Sequence, residues 1–439
     1  MSVIGELTSF VARAKASDLP AADRERLRLH FIDTVVAARV GALIPEGKAL
    51  QSLGDDGALA IRIGRQAAAI RLTEIDDIHL PSCTTPSAGV VPVALMLAAR
   101  EQKFDPGEVA SAIWAGTEIM TRIGVAARGP QILYRGIWPT YLAAPVAAAA
   151  TSARLLGLSE ARTGHALSLA VMLMAGGVGR IHGAPSGRWF LYANAVAAGV
   201  AAAEAARADY RGDPDILDKT WLTDSHGIVL DRERLTEKLG VSTVYAALSL
   251  KPFCSAKQGI AAIEAFRAIL DRGVRAKTIT KVRVRVPPAY AGMIASHAEP
   301  GARQSTMVSV AHQIALAALD AERLYDVDRS AAKADADVSE FAGKVEVIAD
   351  VRLDAYYPRH WPAEVDVEAN AEVHQQRVVE AIGDPEHPLD RAGILTKAHR
   401  VLDPLIGNDG TAEWLETAGA ALDDATACRK LAAVFAKGF

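Results

Sequence analysis

Disulfides, membrane spans and a nucleic-acid face all lack support in this 439-residue chain. Its three cysteines, Cys83, Cys254 and Cys428, are too few and too scattered for a disulfide framework or a CxxC zinc site, which points to a reduced, cytoplasmic setting. Apolar runs are long, but Arg154 interrupts one, and Glu204 and Arg207 another, before either reaches the roughly 20 residues a bilayer requires, so no membrane span is expected. Glu6, Arg13 and Lys15 leave no apolar signal core in the opening segment. With a net charge of −4 there is no basic stripe to displace counterions from phosphates, so nucleic acid is not an expected partner. A G-x-S-x-G elbow, a Walker loop and an H-E-x-x-H helix are also missing. Gly176-Gly-Val-Gly-Arg180 lies between helical segments, where a dinucleotide fingerprint would need a preceding strand, and reads more simply as a flexible helix end.

Half of the residues are apolar yet only 5% are aromatic, and alanine fills the difference. Alanine is the best helix former and lets axes approach closely, so the alanine-dominated runs at 143–153 and 193–206 read as buried helices. Apolar residues recur at three and four positions from Ile4 to about Leu250. Asp105-Pro-Gly-Glu108 and Gly157-Leu-Ser-Glu160 supply helix start and stop signals. After Leu250 the period changes to two: Lys281-Val-Arg-Val-Arg-Val286, the stretch Lys344 to Leu353, and Ala363-Glu-Val-Asp-Val367 alternate charge with aliphatic residues. Helices at about 256–272 and 305–319 are expected to cover the dry face of the resulting antiparallel-leaning sheet. The chain is therefore expected to be mainly α, with a helical region at 1–250, an α+β region at 251–392, and helices at 393–439 that return to the first region.

Three polar clusters interrupt the apolar pattern. Glu74-Ile-Asp-Asp-Ile-His-Leu-Pro-Ser-Cys-Thr-Thr-Pro-Ser87 gathers two aspartates, a glutamate, an imidazole and four hydroxyls between helices; it is either a binding loop or a capped turn. Gly179-Arg-Ile-His-Gly-Ala-Pro-Ser-Gly-Arg-Trp189 carries Arg180, His182 and Arg188, and guanidinium forks suit an anionic substrate, although each arginine also reads as a cap or an internal ion pair. Lys251-Pro-Phe-Cys-Ser-Ala-Lys-Gln258 lies at the change of period, where Lys257 is either a surface residue or a contact to an anion. Asp76, Asp77 and His79 lack a matching distant ligand cluster, so no metal is expected.

Several segments in order resemble the MmgE/PrpD family, which includes 2-methylcitrate dehydratase, cis-aconitate decarboxylase and iminodisuccinate epimerase. Phe31-Ile-Asp-Thr34 resembles its "DT" helix, Glu74-Ile-Asp-Asp77 its "DxDD" loop, and Gly116-Thr-Glu-Ile-Met-Thr-Arg122 its "GyEv..R" helix. Gly136-Ile-Trp-Pro-Thr140 with Leu155-Leu-Gly-Leu158 resembles "GfHPT…LLGL", Lys251-Pro-Phe253 its "KPY", and Gly383-Asp-Pro-Glu-His-Pro-Leu389 its "GdPenPl". The resemblance implies an all-helical domain built from both chain ends, an inserted α+β lid domain, a homodimer, and a cofactor-free site in the interdomain cleft. The family's "DxDD" begins with Glu74 here and its following Thr is Ile78. The family's next His falls at Thr84 or Thr85, the His of "HPT" is Trp138, the Lys of "KPlHaG" is Arg188, and the His after "KPY" falls at Ile260.

The expected activity is a cofactor-independent lyase or isomerase that abstracts a proton beside the carboxylate of a small acid. His79, Asp77, Glu74 and His182 are the candidate catalytic groups. Arg188, Arg180, Thr84, Thr85, Trp138, Lys257 and Gln258 are the candidate substrate contacts. The alternatives are a hydrolase or cyclase using Ser82, Cys83 or Thr84, and a carboxylate-binding protein without catalysis.

Overall fold

The computed structural model describes residues 2–53, 57–174, 187–299, 302–329 and 335–439. The molecule is mainly α with a small α+β region, and the sequence punctuation sets its helix ends. Asp105 accepts from Glu108 N to open Pro106–Ala126, Gly157 in the left-handed region closes Pro139–Leu156, and Ser159 accepts from Arg162 N to open Glu160–Met172.

The alanine-rich helices meet backbone to backbone. A Cβ added to Gly64 would lie 2.0 Å from the Ala193 carbonyl oxygen, and one on Gly199 would lie 2.0 Å from that of Pro145. Helix Gly187–Arg207 therefore packs tightly against both Leu59–Leu72 and Pro139–Leu156. It is long and apolar enough to span a membrane by length and composition, but here it is packed among other helices. The Gly64–Ala193 contact decides what comes next. Arg71 lies seven residues beyond Gly64 and Arg188 five residues before Ala193, roughly 10 and 7 Å along their axes. The two arginines thus emerge at the same end of an antiparallel pair.

Two short strands, β1 (Ile78–His79) and β2 (Leu248–Ser249), pair antiparallel, and four form the main sheet, in the order β4 (Val345–Ala349), β3 (Ile279–Val286), β5 (Ala363–Ala369), β6 (Glu372–Val378). The pairing β3–β4 is parallel, and β3–β5 and β5–β6 are antiparallel. Val282, Val284 and Val286 are buried while the intervening Lys281, Arg283 and Arg285 are half-buried, as the alternation requires. The polar face of β5 is drier than expected: Glu364 and Asp366 are buried because Arg285, Arg352, Arg377 and Gln375 pair with them. Helix Lys257–Asp271 covers β5 and β6. The expected helix at 305–319 is broken, because Ser309 turns to extended geometry and its hydroxyl accepts from His312 N, separating Arg303–Val308 from Val310–Leu319.

The last helices lie on the first ones. Arg391–Ala420 packs on Ala21–Leu43, and Ala425–Lys437 on Ser87–Glu101. Lys397 anchors this return, donating to Asp33 Oδ1 at 2.6 Å and to the Ile75 carbonyl at 2.7 Å, with both side chains buried. Lys397→Met would strand the Asp33 charge, so a loss of about 3–5 kcal/mol in stability is expected, most of it recovered in Asp33→Leu/Lys397→Met. Urea unfolding midpoints check this; a single-variant cost below about 1 kcal/mol, the range of an exposed pair, would remove the anchor role.

Candidate functional site

The loop after helix Leu59–Leu72 splits its acids between two tasks. Glu74 adopts φ 53°, left-handed for a non-glycine residue, and Glu74 and Asp76 then turn into the interior. Arg71 donates to both Asp76 oxygens at 2.5 and 2.6 Å and stands 3.6 Å from Glu74. Lys251 donates to Glu74 Oε2 at 2.8 Å and to Asp76 Oδ1 at 3.2 Å. Arg188 brings Nη2 to 3.7 Å from Glu74 Oε1, an ion pair too long for a hydrogen bond, so Glu74 does not consume its donors. All five side chains are buried. Three cations thus face two carboxylates, leaving an excess of one positive charge when all are ionised.

The electrostatics follow from that crowding. Burial pushes the Glu74 carboxyl up, but Lys251, Arg71 and Arg188 outweigh it and bring it down to about 2. Asp76 shares two of those cations, yet burial and the Glu74 charge hold its carboxyl above the usual range. Glu74 is therefore a charged anchor at neutral pH, not a base.

Aromatic rings wall the cluster. The Arg188 guanidinium lies 4.1 Å from the Trp189 ring centroid and 5.0 Å from that of Trp138; Arg71 lies 5.4 Å from Trp189. Trp138 stacks on Tyr141, which leans on Tyr192. The Tyr141 and Tyr192 hydroxyls and the Trp189 indole N–H are buried and lack hydrogen-bond partners among the described residues. Burial pushes the Tyr141 phenol up to about 12 despite the pull of Arg188 and Arg71.

Other expected site residues are placed elsewhere. Asp77 caps helix Ser87–Glu101 from Oδ1 and Oδ2, accepting from Ser87 N at 3.2 Å and Ser87 Oγ at 2.5 Å, and contacts His30 Nδ1 at 3.1 Å. His79 Nδ1 meets Ser82 Oγ at 2.9 Å, and the ring borders a hollow of about 280 Å³ lined also by Arg122, Arg234 and Lys238. Asp76, Asp77 and His79 therefore do not converge as ligands. Thr84 is bonded to Ser82 and Thr85 to Thr140, so both fold the loop. Ser82 is fully buried, and burial pushes the Cys83 thiol far up, so neither is presented as a nucleophile. Lys257 donates to Asp384 Oδ1 at 2.5 Å, and Gln258 donates to Tyr134 at 3.4 Å. Arg180 and His182 lie outside the described residues.

Of the expected residues, Glu74, Arg188 and Trp138 come together. Two that join them, Arg71 and Lys251, were not assigned roles from the sequence. Their signals were slight: a cation in the last turn of an apolar helix, and a lysine before proline at the change of period.

Burial pushes the His79 imidazole down to about 4, with Asp77 pulling the other way. The unfolded chain takes up a proton near pH 6.5 that the folded chain refuses until about pH 4, so this contribution to stability falls as pH drops through that window. His79→Asn should flatten the stability profile between pH 6.5 and 4, by up to about 1.4 kcal/mol per pH unit. Denaturation midpoints across that range check it; parallel profiles for parent and variant would contradict a buried neutral imidazole.

Comparison with known proteins gives the geometry a context. The chain is 31% identical over 242 residues to a cis-aconitate decarboxylase-like protein of Aspergillus oryzae, a match spanning 50% of each chain. Residues 65–226 match the MmgE/PrpD N-terminal domain and residues 253–420 the MmgE/PrpD C-terminal domain. Arg71, Glu74, Asp76, Trp138 and Arg188 fall in the first match, and the chain belongs to the MmgE/PrpD family.

Proposed function

We propose that the protein is a lyase of the decarboxylase or dehydratase kind acting on a small di- or tricarboxylate. The observation that carries this reading is the buried excess of positive charge at Arg71, Arg188 and Lys251, set among polar aromatic atoms without partners among the described residues. A carboxylate supplies the missing anion, and Arg188, whose guanidinium lies against two indole rings, presents a fork to it. Loss of carbon dioxide or of a proton leaves negative charge on the adjacent carbon, and a fixed ammonium such as Lys251 stabilises that charge without reorganisation. Tyr141, a neutral phenol at working pH, is the proton donor at the cluster. The relative's printed name supports decarboxylation as the first reaction to try.

The test is proton NMR in D₂O with cis-aconitate and a panel of small di- and tricarboxylates. Expected for a decarboxylation is product carrying one solvent deuterium, at the carbon that lost carbon dioxide or at the far end of its allyl system, and for a dehydration an alkene product formed with loss of water. Tight calorimetric binding of a carboxylate without turnover or exchange would instead establish a binding protein.

Arg188→Lys keeps the charge but loses the fork. A drop in kcat/KM of roughly 10-fold or more is expected, from about 1.5–3 kcal/mol for a charged hydrogen bond. A folded Arg188→Lys enzyme equal to the parent would show that Arg188 does not hold the substrate.

A further inference from the structure

On the outer side of the α+β region, two loops bring histidines and glutamates together without pairing them closely. His360 precedes β5, and Glu380, Glu386 and His387 follow β6. His360 Nε2 lies 4.0 Å from Glu380 Oε1, His360 Nδ1 lies 4.0 Å from Glu386 Oε1, and His387 Nε2 lies 3.7 Å from Glu380 Oε2. One ligand atom from each of His360, Glu380 and Glu386 lies within 4.8 Å of the others. These separations exceed hydrogen-bond reach. They stand above the roughly 3.4 Å between ligand atoms around a tetrahedral ion bonded at about 2.0–2.1 Å, and because one ion takes only one ring nitrogen of His360, side-chain rotations are needed to bring both glutamates to it.

The backbone holding these groups is fixed. His360 N donates to the Tyr356 carbonyl at 2.9 Å, and the His360 side chain is only 11% exposed. In the second loop, Ala381 N donates to Asp384 Oδ2, His387 N to the Asp384 carbonyl, and Gly383 N to the His387 carbonyl. The inner side of that loop is locked as well: Asp384 accepts from Ser249 and Lys257, and Leu250 N donates to the Gly383 carbonyl. Arg359 stands 3.9 Å from Glu386, but its side chain is 80% exposed and leaves Glu386 available.

We propose that His360, Glu380 and Glu386, with His387 as a further ligand, form a binding site for one divalent transition-metal ion. Imidazole and carboxylate donors match zinc best, with cobalt and nickel as close alternatives. The ion would fasten the loop before β5 to the loop after β6. Because that second loop holds Lys257 and Leu250, the ion would stiffen the stretch that carries Lys251. Its role is structural, apart from the Arg71–Glu74–Lys251 cluster.

Tag-free protein, stripped with EDTA and dialysed, is titrated with zinc chloride by calorimetry, and retained zinc is measured after gel filtration. Expected are about one zinc per chain and a thermal midpoint that rises with zinc. His360→Ala/Glu386→Gln should weaken binding by roughly 10-fold or more, judged against ligand-shell substitutions generally. The variants' circular dichroism and melting in EDTA are compared with the parent. Should His360→Ala fail to fold, Glu386→Gln with Glu380→Gln, both partly exposed, replaces it. Substoichiometric retention by the parent, or variants that bind zinc as the parent does, would overturn the proposal.

Discussion

Two carboxylates buried against three cations tie separate segments of this protein together. Taking these charges from water costs several kcal/mol per ion, and the cost is offset only while each keeps its partners. The cluster therefore constrains position strictly. Glu74 sits in a left-handed conformation costing on the order of 1 kcal/mol, and Lys251, Arg71 and Arg188 all draw its carboxylate inward. Four chain segments meet there: the end of helix Leu59–Leu72, the loop after it, the start of Gly187–Arg207, and the strand exit at Lys251. The loop is gripped from outside too, since Lys397 donates to the Ile75 carbonyl and Ser255 N to that of Glu74. The returning C-terminal helix and the junction with the α+β region thus converge on the same few residues.

The sequence made the scaffold legible because its signals are local. Asp105, Gly157 and Ser159 act on the turns they occupy, and valine alternation in β3 reports burial residue by residue. The break at Ser309 was hidden because the apolar period runs through it, and only the hydroxyl's bond to His312 N shows the restart. The site was less legible because it depends on helix crossings. Nothing in the sequence says that Gly64 meets Ala193, and that contact brings Arg71 and Arg188 to one end. For the same reason one loop distributes its polar groups to different places: Glu74 and Asp76 turn to the cations, Asp77 caps a helix, and His79 borders a separate hollow.

Two departures from the family pattern lie side by side. Trp138 stands where the motif has histidine and Arg188 where it has lysine, and the guanidinium lies 5.0 Å from that indole. A lysine and a histidine form a pair able to exchange protons near neutral pH, whereas arginine stays charged and indole only donates. A planar guanidinium gains from flat partners, and Trp138 with Trp189 supplies two. Trp189 already lies 4.1 Å from the guanidinium, and Trp138 adds a second ring at 5.0 Å. Together the substitutions set a permanently charged, planar guanidinium against flat rings where the motif has two groups that titrate. Tyr141, stacked on Trp138 with its hydroxyl unpartnered among the described residues, adds a polar atom to the same aromatic wall.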